Sequence, residues 1–231
     1  MHKKLRKLNI NLYNKHNELK FDNTVFDCID TEEKAYWLGF LYADGSVSSY
    51  RNAVELSLQG KDIEHLEKYN MFLKNTKSVV LQNSKCNGKV FSRCRCTVTN
   101  KYFHQRLCEL GCIPKKSLIL EFPKKEIFKN EDLIIHFIRG YVDGDGSITF
   151  TKTGRLVLQI IGTKEFLTGI IDIFPNIFSK TFYKDKRLKN NTYYITCSCN
   201  KADYILEVLY KDSSIYLNRK YDRLAVLSRN W

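Results

Sequence analysis

Two stretches of this chain carry apolar residues at helical period and end in the same way. From Asn130 to Ser147 the sequence reads NEDLIIHFIRGYVDGDGS, with Leu133, Ile134, Phe137, Ile138 and Tyr141 recurring at helical spacing. Asn130 is placed to cap this helix, and Glu131 and Asp132 put negative charge in its first turn, where the helix dipole favours it. Gly140 and Gly144 are four apart and share one face, which is nearly bare of side chains and open to close approach by another helix. Asp143-Gly144-Asp145-Gly146 then places two carboxylates at the negative end of the dipole. A divalent cation relieves that conflict, because hard cations prefer carboxylate oxygens.

Asp30 to Ser46 (DTEEKAYWLGFLYADGS) repeats the pattern. Asp30 and Glu33 resemble a capping box. Gly39 and Ala43 repeat the small-residue pair, and Asp44-Gly45-Ser46 matches Asp145-Gly146-Ser147, 101 positions later. A pseudo-twofold axis is expected, with two small-faced helices packed along it and Asp44 brought close to Asp145. Carboxylates that close repel unless protonated or bridged by metal.

After each helix the period falls to two. Residues 46–51 and 53–59 are expected as strands, with Val54, Leu56 and Leu58 on one face and Glu55, Ser57 and Gln59 on the other. A helix over 61–74, strands over 78–82 and 90–98 turning at Asn87-Gly88, and a helix over 100–110 complete the unit. The second half repeats it: strands over 147–152 and 155–161, a helix over 164–174, strands over 181–184 and 193–199, and helices over 201–210 and 216–227. The division expected is a basic arm over 1–29, halves over 30–112 and 130–231, and a linker over 113–129 holding two of the three prolines. Phe21, Val25 and Phe26 are expected to anchor the arm onto the first helix. The fold class is α+β, each half an antiparallel sheet with helices on one side and a polar face that is either solvated or bound.

WLGFLYADG (Trp37 to Gly45) and IRGYVDGDG (Ile138 to Gly146) resemble the signature of the LAGLIDADG homing endonucleases, in their single-chain, two-motif form. The resemblance covers the chain from about residue 22 onward. It implies duplicated αββαββα units, whose two four-stranded sheets form a DNA-binding saddle around central motif helices. It implies that Asp44 and Asp145, with the preceding Ala43 and Gly144, lie at the metal site. Tyr42 stands where the family often has an earlier Asp that is not the essential ligand. The family also places basic or amide residues at strand ends, which maps onto Gln59 and Gln159 at the second strands and Lys101 and Lys201 at the fourth. The implied activity is a staggered double-strand break in a long DNA target, with Mg²⁺ as cofactor and Mn²⁺ or Ca²⁺ as other occupants. An RNA maturase or a non-cleaving DNA-binding protein on the same fold are the alternatives.

Charge agrees with a polyanionic partner. The chain of 231 residues carries 38 Lys and Arg against 25 Asp and Glu, a formal net charge of +13. The expected partner is double-stranded DNA, with intron RNA as a second, bound by a monomer with internal pseudo-symmetry. Candidate contacts on the open sheet faces are Ser48, Glu55, Ser57, Arg93, Arg95, Thr149, Thr151, Arg155, Thr196 and Ser198. Arginine reads guanine through a bidentate contact in the major groove. Lys85, Lys89, Lys184, Lys186, Arg187 and Lys189 fall in hairpin loops and suit phosphates. No apolar run reaches the roughly 18 residues of a membrane span. The basic start MHKKLRKLN has no apolar region behind it, so an intracellular location is expected, cytoplasmic or organellar. Among 8 cysteines, Cys94-x-Cys96 and Cys197-x-Cys199 alternate onto the expected core face and are read as small hydrophobes rather than a zinc site or disulfides.

Overall fold

A computed structural model describes residues 21–86, 89–179, 181–184 and 191–225. The first half comprises α1 (Glu32–Asp44), β1 (Gly45–Val47), β2 (Ala53–Gln59), α2 (Ile63–Phe72), β3 (Val80–Cys86), β4 (Lys89–Thr99) and α3 (Lys101–Glu109). The second comprises α4 (Asp132–Asp145), β5 (Gly146–Phe150), β6 (Leu156–Gly162), α5 (Lys164–Ile173), β7 (Tyr183–Lys184), β8 (Tyr193–Ser198), α6 (Asn200–Tyr210) and α7 (Asn218–Ala225). Each half folds one antiparallel sheet, ordered β1-β2-β4-β3 and β5-β6-β8-β7. The Asn87-Gly88 turn lies outside the described residues.

The two motif helices are central because they are apolar on nearly every side. Eight consecutive residues of α1, Ala35 to Tyr42, are buried. The cap of α1 is Thr31, whose hydroxyl accepts the Lys34 N–H at 3.3 Å. Asp30, expected in that role, pairs instead with Lys34 Nζ at 2.8 Å. Asn130 does cap its turn: its side-chain oxygen accepts the Leu133 N–H at 3.2 Å.

The helices meet backbone to backbone. A methyl group at Gly39 would fall 1.9 Å from the carbonyl oxygen of Phe137 on α4, and one at Gly140 would fall 2.0 Å from that of Tyr36 on α1. Only residues without a side chain permit that approach. Arg139, fully buried, ties the pair to the rest of the chain. It donates to Glu32 at the start of α1 (2.5 Å), to the Leu209 carbonyl on α6 (2.9 Å) and to the Ile215 carbonyl beyond it (3.0 Å). Its charge is thereby paired and its donors are used, as a buried guanidinium requires.

The core-facing sheet positions follow the expected alternation. Val54, Leu56, Leu58, Cys94, Cys96, Val98, Leu156, Leu158, Ile160, Ile195 and Cys197 are buried. Cys199 leaves the pattern: it caps α6 at φ +55° and is half-buried. The segment at 21–29, assigned above to an arm, packs into the first half. Phe26 is fully buried between Phe72 of α2 and Phe103 of α3, at 5.6 and 5.8 Å. Phe21 packs edge-on against Phe103, with ring centroids 5.2 Å apart.

His65 is buried against Trp37 and Phe40, with Nε2 2.9 Å from Tyr36 Oη. Burial pushes its pKa from 6.5 down to about 3, and the nearby charges of Lys68 and Arg219 act the same way. The unfolded imidazole therefore takes up a proton at a pH where the folded one does not. This contribution to stability is complete above pH 6.5 and lost as pH falls toward 3.

Two measurements follow. Gly39→Ala or Gly140→Ala is expected to lower the unfolding free energy by at least about 2 kcal/mol in urea titration, because helix backbone must separate. Gly154→Ala, at φ +77° with open space around it, should cost about 1 kcal/mol. Between pH 6.5 and 4 the stability of the native chain should fall by up to about 1.4 kcal/mol per pH unit from this residue. His65→Phe should flatten that slope.

Candidate active site

α1 and α4 end side by side in Asp44 and Asp145. A methyl group at Gly144 would lie 2.3 Å from the Ala43 side chain and 3.4 Å from Asp44 Oδ2. Both acids reach solvent at the outer end of the helix pair, yet protein crowds them from behind. Burial raises the Asp44 carboxyl above its ordinary pKa, opposed by the charges of Lys220, Lys116 and Arg219. Asp145 is pushed up to about 6, first by burial and then by the charge of Asp44, again opposed by both lysines. The two carboxylates thus repel each other at a site that destabilises negative charge.

The lysines that hold this site are Lys116 and Lys220, both buried. Lys116 Nζ donates to the carbonyls of Ala43 (3.1 Å) and Gly45. Lys220 Nζ donates to those of Val142 (2.6 Å), Gly144 (3.4 Å) and Gly146 (2.5 Å). Ala43 and Gly144, and likewise Gly45 and Gly146, are 101 positions apart, the displacement that separates the two acids. Each lysine neutralises the negative end of one motif helix and donates to carbonyls at and just beyond its last turn. Burial lowers the Lys220 pKa to about 8. The Ala43 and Gly144 carbonyls, expected at a metal, accept these ammonium groups through one lone pair and keep a second.

Sequence reasoning placed the basic residues elsewhere. Lys101 and Lys201 are exposed at the starts of α3 and α6, at the wrong end of each sheet. β4 runs antiparallel to β2, so its last residue, Thr99, pairs with Ala53, whereas Gly45, next to Asp44, pairs with Leu56. In the second half Ser198 pairs with Val157, away from Gly146 opposite Ile160. The sequence carries only a faint mark of Lys116 and Lys220. Each lysine lies in the segment that follows the helix after the sheet of its half, Lys116 beyond α3 and Lys220 in α7 beyond α6, and the two are 104 positions apart, close to the repeat.

The glutamines are not twofold mates. Gly45 pairs with Leu56, 11 positions on, and Gly146 with Ile160, 14 positions on. The second hairpin is three residues longer, which shifts everything after it. Gln159, opposite Ser147, matches Glu55, opposite Ser46. The position matching Gln59 is Thr163, which is buried and donates to the Leu120 carbonyl. Gln59 itself is exposed at the end of β2.

Asp143 also departs from the expectation of two carboxylates at the helix end. It is fully buried and accepts from Tyr210 Oη (2.6 Å), Tyr36 Oη (2.7 Å) and the Leu217 N–H (2.8 Å). Burial raises its pKa while those hydrogen bonds oppose the rise. Its counterpart Tyr42 is buried and donates to the Leu110 carbonyl.

Glu55, Ser57, Arg93, Arg95, Thr149, Thr196 and Ser198 lie on the open sheet faces, half-buried or exposed. Thr97 Oγ1 donates to Glu55 Oε2 at 2.9 Å. Ser48 and Thr151 use their hydroxyls to close hairpins, accepting the Arg51 and Arg155 N–H groups at 3.0 Å. Arg155, Lys85 and Lys184 are exposed, whereas Lys186, Arg187, Lys189 and the Lys89 side chain lie outside the described residues. Among the described residues no three His, Cys, Asp or Glu side chains converge, so a metal here would rest on the paired acids.

No family model matches the chain. An uncharacterized protein of Methanocaldococcus jannaschii is 26% identical over 199 residues, covering 82% of this chain and 70% of that one. The homing endonuclease I-WcaI, bound to its DNA recognition sequence, superposes with a TM-score of 0.57 at 14% identity, covering 89% of this chain and 91% of its own. The LAGLIDADG homing endonuclease I-LtrWI, bound to target DNA, gives 0.52 at 14% identity over 85% and 90%. I-GzeII in complex with its DNA target gives 0.51 at 15% over 81% and 86%. The fold is that of the LAGLIDADG homing endonucleases. In this LAGLIDADG fold, Asp44 and Asp145 end the two motif helices, and each motif has a lysine behind it.

The two acids of the second LAGLIDADG motif should respond oppositely to neutralisation. Asp143→Asn keeps one acceptor oxygen and turns the other into a donor facing Tyr210 Oη, or facing Tyr36 Oη and the Leu217 N–H, and is expected to cost about 2 to 3 kcal/mol in chemical denaturation. Asp145→Asn removes a repelled charge and should leave stability at neutral pH unchanged or higher.

Proposed function

We propose that this chain is a site-specific DNA endonuclease that makes a staggered double-strand break with Mg²⁺ as cofactor. The observation that carries the reading is the adjacency of Asp44 and Asp145 on the pseudo-twofold axis, between two sheet faces in a chain of net charge +13. Both carboxylates are disfavoured as anions by their surroundings, and divalent charge would relieve both. The residues therefore fit the metal: Asp44 and Asp145 would hold it, with the carbonyls of Ala43 and Gly144 next to them in the chain. When bound, the divalent ions supply Lewis acidity toward the phosphate and a water of lowered pKa.

The chain's own groups do the rest. Lys116 and Lys220 fix the helix ends, and with them the two carboxylates. Their ammonium charge moderates the repulsion between Asp44 and Asp145 and adds positive potential where phosphates arrive. The open faces align the duplex, with basic loops on phosphates and Arg93 and Arg95 toward bases. A single chain carries one acid per DNA strand, so a monomer suffices for two cuts. Like the fold's DNA-bound neighbours, it would act on duplex DNA, inside the cell.

The test is cleavage of a randomised DNA library by the full chain in Mg²⁺. A recurrent double-strand cut is expected, abolished by chelation and lowered roughly a thousandfold or more by Asp44→Asn or Asp145→Asn, with DNA binding retained. Tight selection of DNA without cutting, or of a structured RNA instead, would overturn the nuclease reading in favour of a regulator or a maturase.

A further inference from the structure

The register makes the two sheet faces comparable row by row. Ser46–Glu55–Thr97 in the first half matches Ser147–Gln159–Thr196 in the second. These rows are nearly the same chemistry: a hydroxyl, an acid or its amide, and a threonine. The next row toward the catalytic acids differs sharply. It is Ser57–Arg95–Val80 on the side of Asp44 and Ile161–Tyr194–Tyr183 on the side of Asp145.

Arg95 forms no ion pair among the described residues, and neither does exposed Arg93, one row further along. The row facing them across the axis has no charged group. Tyr183 and Tyr194 stack with centroids 5.3 Å apart and planes at 20°, and Tyr183 remains 43% exposed. Its only side-chain polar atoms are the two phenol oxygens at the ring ends. A guanine edge pressed on such a wall leaves O6 and N7 without donors, and a buried polar group without a partner is penalised. Thymine presents a single acceptor, O4, beside a C5-methyl group that the ring faces remove from water. On the other side, a guanidinium fork matches guanine O6 and N7 in a bidentate contact.

Building on the DNA-cleavage reading, we infer that the base pairs nearest the cut are read by different chemistry in the two half-sites: guanine by Arg95 in the first half, thymine by the Ile161–Tyr194–Tyr183 row in the second. The specificity of the target centre is then set by one cation and one aromatic wall at symmetry-related positions.

The experiment is selection of bound DNA from a randomised library by the full chain in Ca²⁺, followed by competition binding of the selected duplex. The expected consensus has guanine in one half-site and thymine at the mirror-related step of the other. Arg95→Ala should lower the preference for that guanine roughly tenfold or more and leave the thymine untouched, and Tyr183→Ala should do the reverse. Replacing the thymine by uracil removes only the methyl group and should weaken binding of the unaltered protein several-fold. A consensus with the same base at both mirror positions, indifference to uracil, or an intact guanine preference in Arg95→Ala would overturn the inference while leaving the nuclease reading in place. Failure to select any DNA would overturn both.

Discussion

Everything in this molecule depends on how closely two helices approach. Gly39 and Gly140 let α1 and α4 touch through their backbones, and that contact brings the ends of those helices together. Side chains cannot substitute for that contact, because the next atom outward would already overlap a carbonyl. The cost is an interface with little side-chain surface of its own at the crossing. The aromatic flanks, Tyr36, Trp37, Phe40, Phe137 and Tyr141, supply the buried area around it. Arg139 supplies the cross-link, drawing Glu32 and two distant carbonyls onto one buried cation.

That packing creates an electrostatic problem at the outer end. Two helix dipoles present their negative ends together, and two carboxylates sit on top of them. The fold answers with two buried lysines rather than with distance. Each ammonium lies behind the helix end, on the protein side, which leaves the solvent side of the acids open. A site arranged in this way holds negative charge at the surface only by countering it from within. That is also why the acids are strained as anions and receptive to a cation.

Much of this was legible in the chain, and the remainder follows a physical line. Periodicity located both motif helices and the strands, and the repeated small residues exposed the pseudo-twofold. Asp44 and Asp145 were visible because a local repeat carries them. The lysines were not, because their role is set by a chain crossing between segments remote in sequence, Ala43 with Lys116 and Val142 with Lys220. Thr31 displaced Asp30 as cap because Asp30 found a better partner one turn on in Lys34. Gln159 was mismatched because a hairpin longer by three residues leaves no mark in the alternation of either strand. The open sheet face was predictable residue by residue from period two. Two hydroxyls on it, those of Ser48 and Thr151, went to turns.

Lys116 grips the helix of its own half, and Lys220 does the same in the other. Neither half borrows its lysine from across the axis. What crosses includes the glycine seam, the ties from Glu32 to Arg139 and Ser214, the hydroxyl of Tyr36 on Asp143, the ion pair of Arg219 with Asp62, and Tyr42 against Phe137 and Phe166. A half of this molecule is therefore a nearly complete inheritable part, with its own acid, its own counter-charge and its own open sheet face. Recombination that exchanged one half for a cousin's would have to refit that seam, while each helix end would keep the lysine that counters it.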